Sequence, residues 1–561
     1  MKKWLSVILA LTLVLALFAG CGASESAAAS ADSAPAAEEQ ATAEEQPVAE
    51  VAESVEASVE ESVEEPVDFT VSDETITYTC MNEFSLSQIG SWNENSAFKK
   101  LEELTNVHLE FTTYSMESGQ EMFNMTIASG NYPDFFAGNS GWFSGGLDTA
   151  VDENIIIDLA DYSELMPYYQ AIRNDNHDIY INTMTDSGIM PGFYALQDVT
   201  SSITGYLLRS DYLEATGRTA ADLVTYDDWT AFFKDLNGTL DGDYFFPITG
   251  QNGFELGMLL GYNTMGISFD TNGFYLKDGK VTYCAVDDQL KKYTQTLHDW
   301  YAAGYLDSDF MSRSLGPGNS APASIISEEN GIGVQAMYFT INNYLDAGAG
   351  IEGFGLTPVT YPVENAGEKV HISLNDWIPV AGSFCCIFTS CKDIEHLVTY
   401  LDSCYSDELS TLLSWGVEGE AWNYDADGNK VFTELVLNDP EGTTGSKYNF
   451  PSAWAYYMDV ERNNATAEPT ALEAQNVWES TVDRENLYNI PKSPTFTTEE
   501  SEIYSKVMGD VQTLVEENMC KFIVGDRDMS EWDSFVNDVK AMGIEKAIAV
   551  QQSCYERYLA R

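Results

Sequence analysis

The chain has 561 residues, 44% hydrophobic and 12% aromatic, and its 89 acidic and 27 basic side chains leave a net charge of −62. That length exceeds one hydrophobic core, so two or more domains are expected. A field of this sign disfavours nucleic acid, anionic lipid and polyanionic substrates, and is compatible with a neutral ligand such as a sugar.

Lys2 and Lys3 open the chain, and residues 4–19 form an apolar run followed by small residues. The run is short for a spanning helix, so residues 1–20 read as a secretory signal. Leu17-Phe18-Ala19-Gly20-Cys21 resembles the bacterial lipobox, with Phe18 where Leu is commonest, and implies lipidation of Cys21. Two or more acyl chains there would hold the protein stably at the extracytoplasmic face of a membrane. Residues 21–68 read as a disordered acidic tether with 14 acidic residues, no Lys or Arg, and no aromatic residue before Phe69. Such a segment buries too little apolar surface to offset its ordering entropy, and as a coil spans roughly 35–40 Å. Eight cysteines remain beyond Cys21, without the dense spacing of a disulfide scaffold and without a CxxC pair.

In the folded part, Ile76, Tyr78 and Cys80 alternate with Thr77 and Thr79, the period of a strand. Phe98, Leu101 and Leu104 follow at helical spacing behind a candidate N-cap, Ser96, and Val107, Leu109 and Phe111 alternate again. This β–α–β opening implies parallel strands and an α/β domain. The loop of residues 82–95 then lies at a strand's carboxyl end, where ligands sit in such sheets, and contains Trp92-Asn93. A helix closes at Gly130, a turn at Pro133 follows, and Phe135-Phe136 begins another strand.

Several segments, in this order, resemble extracellular solute-binding proteins, the receptors of ABC-type importers. They are Ala128-Ser129-Gly130-Asn131-Tyr132-Pro133-Asp134; LLRSDYLEATG, which spans residues 207–217; and the helix start Thr225-Tyr226-Asp227-Asp228-Trp229. Further along come the strand–turn–strand at residues 276–281, the helix face Leu290, Tyr293, Leu297, Trp300 and Tyr301 closed by Gly304, and Gly416-Val417-Glu418-Gly419 before a hairpin. Residues 532–558 resemble the terminal helices. The similarity covers most of residues 77–561, and the nearest branch is the long lipoprotein receptors associated with oligosaccharide uptake. It implies an α/β, two-lobed periplasmic-binding-protein-like fold with an interlobe cleft. Transferred here, one lobe holds residues 69–194 plus 330–386 and the other residues 195–329 plus 387–561.

No catalytic constellation stands out. His108, His177, His298, His371 and His396 are scattered, and HExxH, GxSxG and P-loop motifs are missing. Gly348, Gly350 and Gly353 match GxGxxG, but no helix pattern follows them, so a turn is expected. Asp425-x-Asp427-x-Asn429 begins like a calcium loop yet lacks the later Gly and Glu, which leaves a hairpin turn. Family members can carry an Asp/Asn-rich calcium loop, which makes Asp235, Asn237, Asp241 and Asp243 the metal candidates; the spacing to Pro247 is altered here.

Sugars stack on aromatic rings, and their hydroxyls need amide and carboxylate partners. The ligand candidates are therefore Trp92, Asn93, Trp142, Asn375, Trp377, Trp422, Trp454 and Tyr457, with Arg209 either reaching the cleft or pairing with Asp211. Trp229, Trp300 and Trp532 sit at helical apolar spacing and are expected in the core. The reading is a monomeric, membrane-anchored receptor, without cofactor, that closes on an oligosaccharide and presents it to importer permease subunits. The alternative is a surface glycan hydrolase or lyase using cleft carboxylates.

Overall fold

The computed structural model describes residues 67–83, 89–115, 118–197, 204–247, 273–312, 324, 326–371, 380–438, 447–448, 454–491 and 495–561. All of them fall in one contact unit, Val67–Arg561. The expected signal segment, the lipobox cysteine and nearly all of the tether lie outside the described residues.

The strands are β1 (Ile76–Glu83), β2 (Val107–Tyr114), β3 (Phe135–Asn139), β4 (Phe193–Gln197), β5 (Thr204–Arg209), β6 (Phe274–Lys277) and β7 (Lys280–Tyr283). There follow β8 (Gly333–Met337), β9 (Leu356–Val359), β10 (Val380–Ile387), β11 (Trp422–Tyr424), β12 (Lys430–Phe432) and β13 (Tyr457–Met458). One sheet has the order β13-β4-β10-β3-β1-β2, and a second has the order β8-β5-β9. In the first, β10 alone runs against the others, as its antiparallel pairing with both β3 and β4 requires.

Side chains alternate across the first sheet and divide into two cores. Cys80, Phe135 and Cys385 face one core, while Met81, Phe136 and Cys386 face the other. A sheet covered on both faces explains why these strands read as continuous apolar runs such as FCCIF. The opening forms as expected: helix α1 (Ser96–Thr105) joins β1 to the parallel β2, and helix α2 (Gly119–Ser129) joins β2 to β3. The N-cap of α1 is Asn95 rather than Ser96. Its side chain accepts from the Phe98 amide at 3.1 Å, whereas Ser96 donates to the Lys447 carbonyl. Gly130 ends α2 in the left-handed conformation, φ 67°, which a β-carbon would disfavour.

Around β5 lies a different arrangement. Tyr206, Leu207 and Leu208 are all fully buried, and helices Tyr226–Thr239, Asp288–Ala302, Pro469–Glu479, Thr498–Val524 and Ile544–Tyr558 contribute to the same core. Trp229, Trp300 and Trp532 belong to it, as expected. Thr225 and Asp228 form a reciprocal capping box at the start of the first of these helices, and β6 and β7 form the expected hairpin.

The core around β5 and the larger core on the first sheet take their residues from alternating stretches of the chain. Ile332, Val334, Leu356 and Val370 pack with β5, because β8 and β9 flank it. Leu397, Leu401, Leu409 and Leu413, with Trp454, Met458 and Val460, pack on the first sheet, because β13 returns to pair with β4. The chain therefore passes between cores three times: after β4, before β10 and after β13. These points are level. Leu196 has Val380 as its partner on one side and Tyr457 on the other.

Candidate functional site

The carboxyl ends of β1, β2, β3, β4 and β13 share one edge of the first sheet, and the three chain crossings leave from that edge. In open α/β sheets a crevice outside the strand carboxyl ends is where ligands lie. Thr204 starts β5 just past the first crossing, held by the Tyr361 hydroxyl, which donates to its carbonyl. The second core thus begins where the first sheet ends.

At the β1 end, Asn82 is buried and donates to the Ala137 carbonyl at 3.2 Å, while its side-chain oxygen accepts from Trp92 Nε1 at 2.8 Å. Trp92 is only 3% exposed and packs beside Phe98. Asn93 donates to the Leu109 carbonyl at 3.1 Å. This pair binds its own loop to β1 and β2, which burial and hydrogen bonding make an internal tie. Trp142 is different. It follows β3 in a short turn capped by Asn139, is partly exposed, and lies 5.4 Å from Tyr114 and 5.9 Å from both Phe123 and Phe136 by ring centroids.

Tyr457 stands at the third crossing, partly exposed, with its carbonyl accepting from Ser410. Trp454, three residues earlier, is 0% exposed and edge-packed on Phe98 and Phe135, inside the first core. Trp422 is 3% exposed in a small cluster with Trp415, Phe432, Val436 and Tyr448, and donates to the Gly416 carbonyl at 3.0 Å. Arg209 ends β5 at the opposite end from the crossing. It is 5% exposed, grips Asp211 through Nε at 3.0 Å and Nη2 at 2.6 Å, donates to the Ile326 carbonyl and lies over Tyr212. Those contacts are structural. Asn375 and Trp377 lie outside the described residues.

The calcium candidates are not gathered. Asp235 pairs with Arg218 at 2.5 Å, Asn237 is bonded to the Tyr244 amide and carbonyl and to the Phe233 carbonyl, and Asp241 and Asp243 are exposed. Among the described residues no group of three or more His, Cys, Asp or Glu side chains is placed to hold a metal ion. Asp425 accepts from the backbone of Asp427 and Asn429 in the turn between β11 and β12, the hairpin expected there.

Sequence reasoning missed the assembly around Asp459, at the start of the third crossing. Trp415 Nε1 donates to its carboxylate at 2.8 Å and Lys430 Nζ at 3.0 Å, and Lys430 also lies 5.6 Å from the Trp415 ring. Burial pushes this carboxyl up, but the bonds from Trp415 and Lys430 outweigh it and hold it below the ordinary range. The β11–β12 hairpin is thereby tied to a crossing. It carries Tyr424, 56% exposed and edge-on to Trp422. No sequence signal joins residues 415, 430 and 459; the one usable hint was an aromatic at every second place of Trp422-Asn423-Tyr424.

The fold is that of the two-lobed solute-binding proteins of ABC transporters. An HMO-binding, ABC-transporter-associated solute-binding protein from Bifidobacterium longum infantis ATCC 15697 superposes with a TM-score of 0.69 at 15% identity, over 87% of this chain and 99% of that one. The FusA substrate-binding protein of S. pneumoniae, solved in complex with kestose, superposes with a TM-score of 0.67 at 18% identity, over 86% of this chain and 99% of that one. In sequence, the fructooligosaccharide ABC transporter substrate-binding protein FusA of Streptococcus pneumoniae serotype 4 (strain ATCC BAA-334 / TIGR4) is 22% identical over 495 residues, 83% of this chain and 88% of its own. No protein-family model matches the chain. No helix among the described residues is long and apolar enough to cross a membrane.

Proposed function

We propose that this chain is a receptor that takes an oligosaccharide between its two lobes and delivers it to an ABC-type importer. The observation that carries the reading is the alignment of three chain crossings on the carboxyl edge of the first sheet. Such crossings act as a hinge, and a solute bridging both lobes shifts the balance between open and closed states. Trp142 and Tyr457 provide partly exposed rings at that edge, where sugar C–H faces stack. The likeness to a relative solved with kestose supports the solute class. The importer's permease subunits recognise the closed form, and acyl chains on Cys21 hold the receptor at the outer face of the membrane as a monomer.

A thermal-shift screen against kestose and a panel of neutral oligosaccharides, amino acids and peptides tests this. At a hundredfold excess over Kd, binding adds about 2.7 kcal/mol, which raises Tm by a few degrees. Release of cleaved sugar from a bound glycan would replace the receptor reading by the hydrolase or lyase one. Stabilisation by peptides with none by glycans would sink the oligosaccharide assignment. Cys21→Ser is expected to release the protein into the medium, and its retention on membranes would contradict the lipid anchor.

A further inference from the structure

Gly119 is the first residue of α2 and is buried beneath the Trp142 indole. A β-carbon at this position would stand 2.5 Å from Trp142 Cη2 and 2.7 Å from Tyr114 Cδ2, far inside van der Waals contact. Tyr114 is the more firmly held of these two rings. It is buried, stacks on Phe136 with ring centroids 6.4 Å apart, and donates from its hydroxyl to the Ala137 carbonyl at 3.3 Å. Phe123 and Phe136, the other rings against Trp142, are buried as well. Trp142 alone of the four rings is partly exposed, so it has the most room to swing away.

We infer that Gly119 is a positioning residue for solute binding: its missing side chain seats Trp142 at the carboxyl edge as a fixed stacking surface. This rests on the oligosaccharide reading above. A side chain at 119 displaces the indole outward, and a gap of about 0.5–1 Å already forfeits a quarter to a half of a stacking contact. The glycine carries no functional group. It acts through the space it leaves.

The test is a double-mutant cycle of Gly119→Ala and Trp142→Phe in the full chain labelled with 5-fluorotryptophan. Trp142→Phe assigns the Trp142 fluorine resonance, and kestose together with the best-binding member of the oligosaccharide panel serves as the probe. Without ligand, Gly119→Ala is expected to shift the Trp142 resonance and leave those of Trp229 and Trp300 in place. With ligand it is expected to weaken binding about tenfold, the scale of one aromatic stacking contact. In the Trp142→Phe background Cη2 is gone while the approach to Tyr114 is unchanged, so the same substitution is expected to cost less affinity. An unmoved Trp142 resonance, or an equal loss of affinity in both backgrounds, would overturn the inference. If Gly119→Ala alone does not fold, the double variant decides: folding restored by adding Trp142→Phe supports it, and folding still lost assigns the glycine to Tyr114 instead. A wild-type chain that binds no saccharide would overturn the oligosaccharide reading and the stacking role together. The ligand-free resonance reads the Gly119–Trp142 packing separately from that failure.

Discussion

The two lobes are built on opposite plans. In the first, five of six strands point the same way, so their carboxyl ends and the loops that follow gather along one edge. In the second, β5 is antiparallel to both neighbours, so its own carboxyl end, with Arg209, lies away from the crossings while those of β8 and β9 lie towards them. A parallel edge concentrates loops that can vary without disturbing the sheet; an antiparallel one spreads them over both ends. The aromatic content follows the same division. Both lobes bury tryptophans, Trp229, Trp300, Trp478 and Trp532 in the second and Trp92 and Trp454 in the first, but only the first keeps a described tryptophan, Trp142, partly exposed at its edge.

The largest effect is expected from Trp229→Ala, which removes a fully buried ring parallel to Trp300 at 6.4 Å. The loss is about 3–5 kcal/mol. Hydrogen exchange is expected to rise across β5 and the helices packed on it while β1–β3 stay protected, and Trp454→Ala is expected to do the reverse. Equal exchange gains in both lobes from either variant would show that the two cores unfold as one.

Next comes Asp402, buried in the first lobe and accepting from the amides of Tyr168 at 3.2 Å and Tyr169 at 2.8 Å. Burial is the dominant influence and raises its carboxyl from 3.8 to about 7, against the two backbone bonds. The folded state therefore holds this proton more tightly than the unfolded one. Its contribution is complete below about pH 4 and is lost as pH rises from there to about 7, at most ~4 kcal/mol. Urea titrations over that window are expected to show declining stability, and Asp402→Asn is expected to flatten the decline.

Asp186 links the lobes. It pairs with Arg557 at 2.8 Å and Arg561 at 2.7 Å, and Arg561 also donates to the carbonyls of Ile181 and Met184. Burial would raise this carboxyl, but bonds from Thr495, Arg557 and Arg561 hold it below the usual range. Its stabilisation is thus present above about pH 4 and lost at lower pH, the opposite window from Asp402. Asp186→Ala is expected to cost about 2 kcal/mol in thermal unfolding at neutral pH and little at pH 3. The smallest effect is at the capping box of the helix Tyr226–Thr239, where Thr225→Ala is expected to cost about 1 kcal/mol, confined to the second lobe by hydrogen exchange.

Local patterns carried much of this into view before any tertiary structure. The alternation at Ile76–Cys80, the helical stripe of Leu290–Trp300, the turn at Asp278-Gly279 and the cap at Thr225 each declare their element, because period, left-handed backbone and capping act over a few residues. Residues 332–370 pack with β5 rather than with the first sheet for a physical reason. β8 reads as a strand whichever sheet it joins, and only its pairing with β5 places it. The aromatic candidates were separated on the same ground. Trp92, Trp422 and Trp454 sit in loop-like sequence yet are buried, and Trp142 alone among the described tryptophan candidates is partly exposed.

By itself, then, the sequence determined the α/β class, most of the elements and the aromatic supply, which rest on composition and short-range spacing, and its ordered motifs carried the resemblance to solute receptors. Tertiary structure alone decided which strands share a sheet, where three crossings come level at Leu196, and that Arg209 reaches the Ile326 carbonyl. Those are contacts between residues tens to hundreds of positions apart. No periodicity encodes them, because the free energy that selects them is shared across the whole core.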